Sequence, residues 1–353
     1  MRRFAAILFL LGFLFIGGKS VRAQYYSWGA DAAALRWKHL RTEDVRVVFP
    51  DTASALAHRT LYYIQAVRPT ITHGFSHPPL KIPFVLFKAV REQKRFLREI
   101  HPDVVFSKGG FISLPTMLAA RKLKIPCVAH ESDLSLGLAN RIAGKKGATI
   151  LTGFDKTATL SDDFIYVGFP LRKEVEFGNA SAAVKKYGLD KTRKTLLVIG
   201  GSMGAKKLND VLAQSLDVLL KDYEIVHVTG KGKNEISEKQ GYHPVEFTND
   251  IGDLFAAADL VVSRAGAGAI CELTYLKKPL LLIPLSKSAS RGDQLDNAEY
   301  ARNFGARVLY EESLSEESFI NEIYRTTVPT RPVSCAGNRT IARILTSFAK
   351  GGK

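Results

Sequence analysis

The stretch "KTLLVIGGSMGAKKLNDVLAQSL" (residues 194–216) contains a strand pattern, a glycine-rich turn and a helix pattern, in that order. Strands that alternate with helices through short connections are typical of a parallel sheet covered on both faces. Glycine in such a turn lets backbone N–H groups approach a ligand, and the helix N-terminus adds a partial positive charge. The stretch therefore predicts an α/β domain whose ligand binds at the carboxyl ends of its strands.

The alternation of strands and helices continues along most of the chain. It becomes regular from Ile82, and "VGFPLRKEV" (residues 167–175) interrupts it with Gly and Pro. A chain of 353 residues is long enough for two domains. We therefore predict two Rossmann-like doubly wound domains that face a cleft. The predicted divisions are an atypical N-terminal segment (1–77), the remainder of the N-terminal domain (78–166), a linker region (167–191) and a C-terminal domain (192–345).

The charge is strongly positive, with 50 Lys+Arg against 34 Asp+Glu and a net charge of +16. Such a surface attracts nucleic acid, anionic lipid or phosphorylated ligands. We expect no nucleic-acid partner, because no RNP motif, zinc-finger spacing or helix-turn-helix pattern occurs. The cysteines at positions 127, 271 and 335 are far apart, so we expect neither a disulfide framework nor a metal site.

The N-terminus "MRRFAAILFLLGFLFIGGKSVRAQ" (residues 1–24) has two arginines, an apolar run and a small residue at Ala23. This is the outline of a secretory signal peptide over residues 1–23. The apolar run is short for a transmembrane helix. The alternative is that the run forms the buried first strand of an α/β domain.

Three glycine-rich loops end predicted strands: "SKGGFIS" (107–113), "GGSMGAK" (200–206) and "SRAGAGA" (263–269). None has the Lys-Ser/Thr ending of a Walker loop, but together they favour nucleotide binding. Glu272 lies six residues after Gly266, inside the helix that the third loop opens. A carboxylate there can accept hydrogen bonds from two adjacent ribose hydroxyls. The alternative is a solvent-facing helix glutamate.

Taken together, "FSKGGFIS", "HESDLSLGLANRIA", "GGSMGAKKLN" and "SRAGAGAICELTYLKKPLLLIPL" with "SRGDQLDNAEYARNFGA" resemble the MurG family of glycosyltransferases. The resemblance runs from about residue 80 to about residue 345. It implies a GT-B fold and an inverting, metal-independent transfer of N-acetylglucosamine from its UDP donor to lipid I, which forms lipid II. It implies UDP-N-acetylglucosamine and lipid I as partners, and no cofactor.

The resemblance also implies roles for individual residues. The positions that match the family's UDP-sugar contacts are Asp133, Arg172, Ser202, Ile251, Ala267, Gly268, Ala269, Ile270, Glu272 and Gln294. Among them, Glu272 matches the residue that binds the ribose hydroxyls, and the backbone of Ile251 matches the one that reads uracil. The acceptor diphosphate is expected at Lys108, Gly109 and Gly110.

One family motif is missing from the chain. Members begin with a "GGGTxGH" loop that faces the acceptor diphosphate, whereas this chain has "FIGGKSVRAQ" with no histidine near Gly17 and Gly18. An inverting transfer needs a base for the acceptor hydroxyl, and His130 and Glu131 are the substitutes available in "AHESD". His130 has the alternative role of a structural strand-end histidine.

Three other functions therefore stay open at this point. They are a non-catalytic UDP-sugar-binding relative, a UDP-sugar epimerase of the same fold and a secreted basic binding protein.

The stretch "IPFVLFKAVREQKRFLR" (residues 82–98) combines an apolar helical stripe through positions 84, 87 and 90 with basic residues. The basic residues are Lys88, Arg91, Lys94, Arg95 and Arg98. Such a helix can rest on an anionic membrane surface, or it can be an ordinary helix with a solvated basic face. We expect a peripheral protein at the cytoplasmic face of the membrane, with export through residues 1–23 as the alternative.

Overall fold

The computed structural model forms two compact units. Unit 1 comprises residues 1–132, 136–167 and 338–353, and unit 2 comprises residues 133–135 and 168–337. The residues that the structure describes are 7–9, 37–41, 46–50, 82–200, 205–230, 232–233, 236, 239–286, 292–328 and 337–350.

Unit 1 is built on a five-stranded parallel sheet. In spatial order its strands are β1 (Ile7–Phe9), β4 (Val105–Ser107), β5 (Cys127–Glu131), β6 (Thr149–Thr152) and β7 (Phe164–Tyr166). Two further strands, β2 (Trp37–Arg41) and β3 (Arg46–Pro50), pair separately as an antiparallel hairpin. The helices are α1 (Ile82–Ile100), α2 (Leu114–Lys122), α3 (Leu138–Lys145), α4 (Asp155–Ala158) and α12 (Gly337–Lys350).

Strand β1 lies within the apolar run that resembles a signal peptide. Ile7 to Phe9 pair in parallel register with Val105 to Ser107. This pairing corresponds to the alternative in which the run is the first strand of an α/β domain. The rest of residues 1–77, including Gly17 and Gly18, lies outside the described residues except for β2 and β3.

Successive residues of a strand point to opposite faces of the sheet. In unit 1 both faces are covered by apolar clusters. On one face, Val105 and Ile150 pack with Leu97 of α1 and Met117 of α2. On the other face, a second cluster forms around α12, and its fully buried members are Val104, Phe106, Val128, Leu151, Val167 and Ile341. The prediction of a doubly wound sheet is therefore confirmed for this unit.

Unit 2 is built on a six-stranded parallel sheet. In spatial order its strands are β10 (Tyr242–Val245), β9 (Tyr223–Val228), β8 (Lys194–Ile199), β11 (Leu260–Ser263), β12 (Leu280–Leu282) and β13 (Arg307–Val308). Its helices are α5 (Lys173–Glu176), α6 (Ala180–Tyr187), α7 (Lys206–Leu219), α8 (Ile251–Ala257), α9 (Ala267–Tyr275), α10 (Asp293–Arg302) and α11 (Glu316–Arg325). Counted within the unit, the strand order is 3-2-1-4-5-6, which is the order of the Rossmann fold.

The units are discontinuous in sequence. The division between Val167 and Gly168 coincides with the start of the predicted linker region, but residues 168–191 form part of unit 2 through α5 and α6. Residues 338–345, which the sequence division assigns to the C-terminal domain, belong to unit 1.

Two sequence expectations need correction. Phe87 was counted in the apolar stripe of α1, but its side chain is 62% exposed, because the buried face runs through Ala89, Val90, Phe96 and Leu97. The sequence predicts no disulfide framework because its cysteines are far apart, yet Cys271 is disulfide-bonded, while Cys127 is a buried free thiol.

Two glycines allow α5 and α8 to approach each other closely. A Cβ placed on Gly252 would lie 1.6 Å from the carbonyl oxygen of Glu174, and one placed on Gly178 would lie 2.1 Å from the carbonyl oxygen of Gly252. The backbone N–H of Asn179 donates to Asp253 Oδ1 at 2.7 Å, which fixes the same contact. Helix α8 therefore has its place against α5 only if position 252 lacks a side chain.

We predict that Gly252→Ala destabilises unit 2 by about 3 kcal/mol, because the methyl group forces the backbone of α5 to move. The measurement is the free energy of unfolding by denaturant titration. Gly266→Ala is the control, since a Cβ at Gly266 meets nothing within 4 Å in the part of the chain that the structure describes. Equal stability of the two variants would contradict the predicted close contact.

Candidate functional site

The strand order of unit 2 places side by side the two strands that precede its glycine-rich loops. Strands β8 and β11 are neighbours in parallel register, from Leu196 opposite Leu260 to Ile199 opposite Ser263. The loop "GGSMGAK" follows β8 and the loop "SRAGAGA" follows β11. The chain order of the sheet reverses between these two strands, and in open α/β sheets ligands bind outside the carboxyl ends at such a point.

The loop "SRAGAGA" opens helix α9, which carries four of the predicted UDP-sugar residues in its first turn. The N-cap is Gly266, and Ala267, Gly268, Ala269 and Ile270 follow. Ala267 and Ile270 are buried, which anchors the turn, while a Cβ on Gly266 or on Gly268 would meet no described atom within 4 Å. The first N–H groups of a helix have no partner within it, so this turn offers backbone donors beside open space.

Glu272 forms a bidentate contact with Arg172. Arg172 donates from Nε to Glu272 Oε1 and from Nη2 to Oε2, both at 2.6 Å. The two side chains are only 13% and 8% exposed. The structure therefore brings together two residues that the sequence predicts to bind the UDP-sugar. The alternative of a solvent-facing glutamate at position 272 is wrong, because burial and a bidentate guanidinium hold this carboxylate in place.

The pair leaves acceptor capacity on Glu272. A carboxylate has about four lone-pair sites on its two oxygens, and Arg172 uses one on each. Two adjacent hydroxyls can therefore still donate to the same group. The guanidinium adds a fixed positive charge next to this acceptor, which suits a ligand that carries a diol close to an anion.

The position of Ile251 relative to Arg172 is set by the backbone contact between α8 and α5. It is the first residue of α8 and is half-buried, and the next residue, Gly252, packs against the carbonyl oxygen of Glu174. Arg172 is the N-cap of α5, the helix that contains Glu174. The contact between the two helices therefore fixes the start of α8 relative to Arg172.

Arg264 holds the loop after β11 in place. It is 8% exposed, donates from Nη1 to the carbonyl oxygen of Ile283 at 3.1 Å, and donates from Nη2 to Glu311 Oε1 at 2.6 Å. Within the described residues its buried Nε has no hydrogen-bond partner. The sequence pattern predicts no role for Arg264, and its hydrogen bonds show that it supports the loop after β11.

Helix α10 adds a polar centre that sequence analysis missed. Asn297 is fully buried, and its amide donates to Asp133 Oδ1 at 3.1 Å and accepts from the backbone N–H of Leu134 at 3.1 Å. Ser135 Oγ donates to Asp293 Oδ1 at 2.8 Å. These bonds explain why residues 133–135 belong to unit 2 and place predicted Asp133 beside α10.

Gln294 lies on the same helix, where its Oε1 accepts from the backbone N–H of Leu285 at 3.1 Å. Of the ten residues predicted to bind the UDP-sugar, only Ser202 lies outside the described residues.

Three of the predicted residues of unit 1, Gly109, His130 and Glu131, meet at Asn140, which is 2% exposed. Its Nδ2 donates to Glu131 Oε2 at 2.9 Å and to the carbonyl oxygen of His130 at 3.3 Å. A Cβ on Gly109 would lie 2.8 Å from the same nitrogen, and Gly109 has a φ of 86°, so this position requires glycine. Gly110 also has a positive φ, of 79°. Lys108 directly precedes these two glycines.

His130 and Glu131 occupy the end of β5. His130 is fully buried, and its Nδ1 lies 3.2 Å from Ser132 Oγ. Glu131 is 5% exposed, and its Oε2 also accepts from the backbone N–H of Gly137 at 2.9 Å. Glu131 therefore holds the start of α3 in place, in addition to any chemical role. Asn140 lies in the motif "HESDLSLGLANRIA" but has no role predicted from sequence, because its partners become neighbours only in the fold.

Comparison with known proteins identifies relatives for both units. The glycosyltransferase family 28 N-terminal domain matches residues 37–152, and the family's C-terminal domain matches residues 195–331. A protein of Staphylococcus epidermidis is 44% identical over 245 residues, which is 68% of this chain and 69% of the relative. A protein of Geobacillus thermodenitrificans is 45% identical over 257 residues, which is 71% of this chain and 72% of the relative. Both are UDP-N-acetylglucosamine--N-acetylmuramyl-(pentapeptide) pyrophosphoryl-undecaprenol N-acetylglucosamine transferases.

Solved structures show the same fold. MurG of Acinetobacter baumannii superposes with a TM-score of 0.57 at 22% identity, over 75% of this chain and 79% of that chain. UDP-GlcNAc 2-epimerase of Neisseria meningitidis, solved with bound UDP-GlcNAc, gives a TM-score of 0.56 at 14% identity, over 80% of this chain and 89% of that chain. Because both identities are low, these likenesses concern the fold alone.

We predict strong coupling between Arg172 and Glu272 in a double-mutant cycle of unfolding free energies. Each single Ala variant leaves one charge buried without its partner and loses about 3 kcal/mol. The double variant should lose at least about 1.5 kcal/mol less than the sum of the singles. The control cycle is Lys206 with Asp210, an exposed pair with 69% and 49% exposure, whose coupling should be below about 1 kcal/mol. Additive losses at Arg172 and Glu272 would contradict the pair.

Proposed function

The chain belongs to glycosyltransferase family 28, and from this membership and the geometry of unit 2 we infer that it transfers N-acetylglucosamine from UDP-N-acetylglucosamine to lipid I. Lipid I is the undecaprenyl-pyrophosphoryl N-acetylmuramyl-pentapeptide acceptor, and the product is lipid II. The observation that carries the proposal is the Arg172–Glu272 pair beside the first turn of α9, at the point where the strand order reverses.

The donor is bound by unit 2 in this proposal. The N-terminal ends of α7 and α9 face the diphosphate with backbone N–H groups, and Glu272 accepts from the ribose hydroxyls. Ser202 is assigned to the phosphate side because it matches the family's serine there. The backbone of Ile251 reads uracil, while Asp133 and Gln294 bind the sugar. Negative charge develops on UDP as it leaves, and the helix ends with Arg172 stabilise that charge. Within the described ranges, no group of three or more His, Cys, Asp or Glu is arranged to hold a metal ion.

The acceptor is bound by unit 1 in this proposal. Gly109 and Gly110 offer backbone N–H groups to the acceptor diphosphate, and Lys108 adds positive charge. The acceptor hydroxyl attacks the anomeric carbon from the side opposite UDP, so the configuration inverts, and a base must take its proton. We propose His130, at the end of β5, as this base. Glu131 is the second candidate.

We propose that α1 carries the membrane contact. Lys88, Arg91, Arg95 and Arg98 are exposed and fall on one side of the helix, with the exposed ring of Phe87 next to them. Lys94 is half-buried beside this basic stripe. Basic residues near an anionic leaflet each contribute about 1 kcal/mol of attraction, and an aromatic ring can enter the interface. This arrangement supports a peripheral location at the cytoplasmic face, where the lipid-linked acceptor is available.

Among the helices that the structure describes, none is both long enough and apolar enough to span a membrane.

We predict that Glu272→Ala lowers kcat/KM for UDP-N-acetylglucosamine roughly 100-fold or more, because charged hydrogen bonds to two hydroxyls are lost. The measurement is transfer of labelled N-acetylglucosamine to a lipid I analogue. Glu317→Ala removes an exposed glutamate of α11 and should leave transfer unchanged. Each variant is first shown to be folded by its melting temperature.

The outcomes of this assay separate the proposed transfer from its rivals. A folded protein that binds UDP but transfers nothing would be a non-catalytic relative. Free UDP-linked epimer as product would make it an epimerase. Full activity of Glu272→Ala would remove this carboxylate from the donor site.

We predict that replacing Arg91, Arg95 and Arg98 together by Gln weakens binding to phosphatidylglycerol vesicles roughly 100-fold. Binding is measured by co-sedimentation at low and at moderate salt. The matched control replaces Lys185, Lys191 and Lys194, three exposed lysines of unit 2, by Gln and loses the same charge. Equal weakening in both triple variants would mean that net charge alone attracts the lipid, and the proposed contact through α1 would be wrong.

A further inference from the structure

Three buried polar side chains form a hydrogen-bonded chain in unit 2 that connects β10, β9 and α7. The hydroxyl oxygen of Tyr242 in β10 lies 2.9 Å from His227 Nδ1, and His227 Nε2 lies 3.0 Å from Asn209 Oδ1. Asn209 Nδ2 donates to the carbonyl oxygen of Thr229 at 3.1 Å, with a longer contact of 3.5 Å to that of Lys233. None of the first three side chains is more than 7% exposed. We call these three residues the Tyr–His–Asn chain.

The hydrogen bonds of this chain have one consistent direction. Because the amide nitrogen of Asn209 faces carbonyl oxygens, its Oδ1 is the acceptor, and His227 Nε2 must carry a hydrogen. His227 Nδ1 is then an acceptor, and the hydroxyl of Tyr242 donates to it. Burial lowers the pKa of His227 to about 4 and raises the pKa of Tyr242 to about 12, so both are neutral between these values. The chain therefore keeps one arrangement over the physiological pH range.

The Tyr–His–Asn chain ends on α7, the helix that follows the loop "GGSMGAK". Asn209 closes the first turn of α7, since its backbone N–H donates to the carbonyl oxygen of Ala205 at 2.8 Å. Asn is a weak helix former because its side chain competes for backbone groups. Here the side chain instead ties α7 to the carbonyl oxygens of Thr229 and Lys233, at a turn that the bond from the Lys233 N–H to the Gly230 carbonyl oxygen closes.

That turn leaves the carboxyl end of β9, the neighbour of β8. Gly230 and Gly232 have φ values of 88° and 67°, which favour glycine, and the backbone N–H of Gly232 donates to Glu246 Oε1 at 2.9 Å. The turn is therefore held on one side by Glu246 and on the other by Asn209. Its fixed position gives α7 a rigid support.

We propose that Tyr242, His227 and Asn209 are positioning residues for donor binding, which fix the N-terminal turn of α7 against the turn after β9. The proposal rests on the proposed function, in which the N-terminal end of α7 faces the donor diphosphate. Helix ends lose their effect on an anion when they move by a fraction of a turn, because the attraction acts within the first turn. Loosening the chain therefore weakens donor binding without removing any group that touches the donor.

The test measures UDP binding by calorimetry and transfer kinetics on the full chain. Tyr242→Phe removes only the hydroxyl, and Asn209→Ala removes the link to the turn. Both should raise the Kd for UDP and the KM for UDP-N-acetylglucosamine roughly 5–10-fold, as expected for one lost hydrogen bond. Values of kcat and of KM for the acceptor should stay within about twofold.

The matched control is Ser215→Ala. Ser215 is a fully buried residue of the same helix, and its hydroxyl donates to the carbonyl oxygen of Val211 at 2.8 Å, away from the turn. Its removal should lower the melting temperature without changing the Kd for UDP. The double variant of Tyr242→Phe with Asn209→Ala should bind UDP no more weakly than Asn209→Ala alone, because the hydroxyl acts only through Asn209.

Two results would overturn the proposal. The first is an unchanged Kd for UDP in Tyr242→Phe despite a lower melting temperature, which would make the chain a core network only. The second is an additive loss in the double variant, which would mean that Tyr242 acts independently of Asn209. Because UDP binding is measured without acceptor, a wild-type protein that binds UDP but transfers nothing would contradict the proposed function and leave this test intact.

Discussion

The pairing of β8 with β11 is the constraint on which the organisation of unit 2 depends. These strands are far apart in the chain, yet residues 196–199 lie in parallel register with residues 260–263. The register ends both strands at one edge of the sheet, so α7 and α9 both begin at that edge. A shift of one residue would move each buried side chain of β11 to the opposite face of the sheet. The donor site is therefore a consequence of strand pairing before it is a consequence of any single residue.

Buried polar contacts then fix what the sheet only brings together. Arg264 with Glu311 anchors the loop after β11, Arg172 orients Glu272, and Asn297 holds residues 133–135. Buried ion pairs contribute little net stability compared with apolar packing, but losing one partner is costly. Such contacts therefore select one arrangement of the loops more than they stabilise the fold. A preorganised arrangement suits a site that must stabilise charge on a leaving group.

Sequence reasoning predicted the parts of the molecule that depend on local pattern. Apolar runs followed by glycine located the strands and the loops after β4, β8 and β11, because both signals lie within a few neighbouring residues. The pairing of Arg172 with Glu272 joins residues 100 positions apart, and that of Asn297 with Asp133 joins residues 164 positions apart. No local pattern carries such information. For the same reason Asn140 and Asn209 had no predicted role, and the pattern of the N-terminal apolar run alone did not separate a signal peptide from a first strand.

The discontinuity of the two units has a consequence for folding during synthesis. One face of the unit 1 sheet is covered by Ile341 of α12, and residues 338–350 are synthesised after the whole of unit 2. Domains fold as units once their residues have left the ribosome, so unit 2 has all its residues while unit 1 still exposes Val104, Phe106 and Val128. The N-terminal unit is therefore the last to complete its core. This apolar face stays uncovered until α12 has been synthesised.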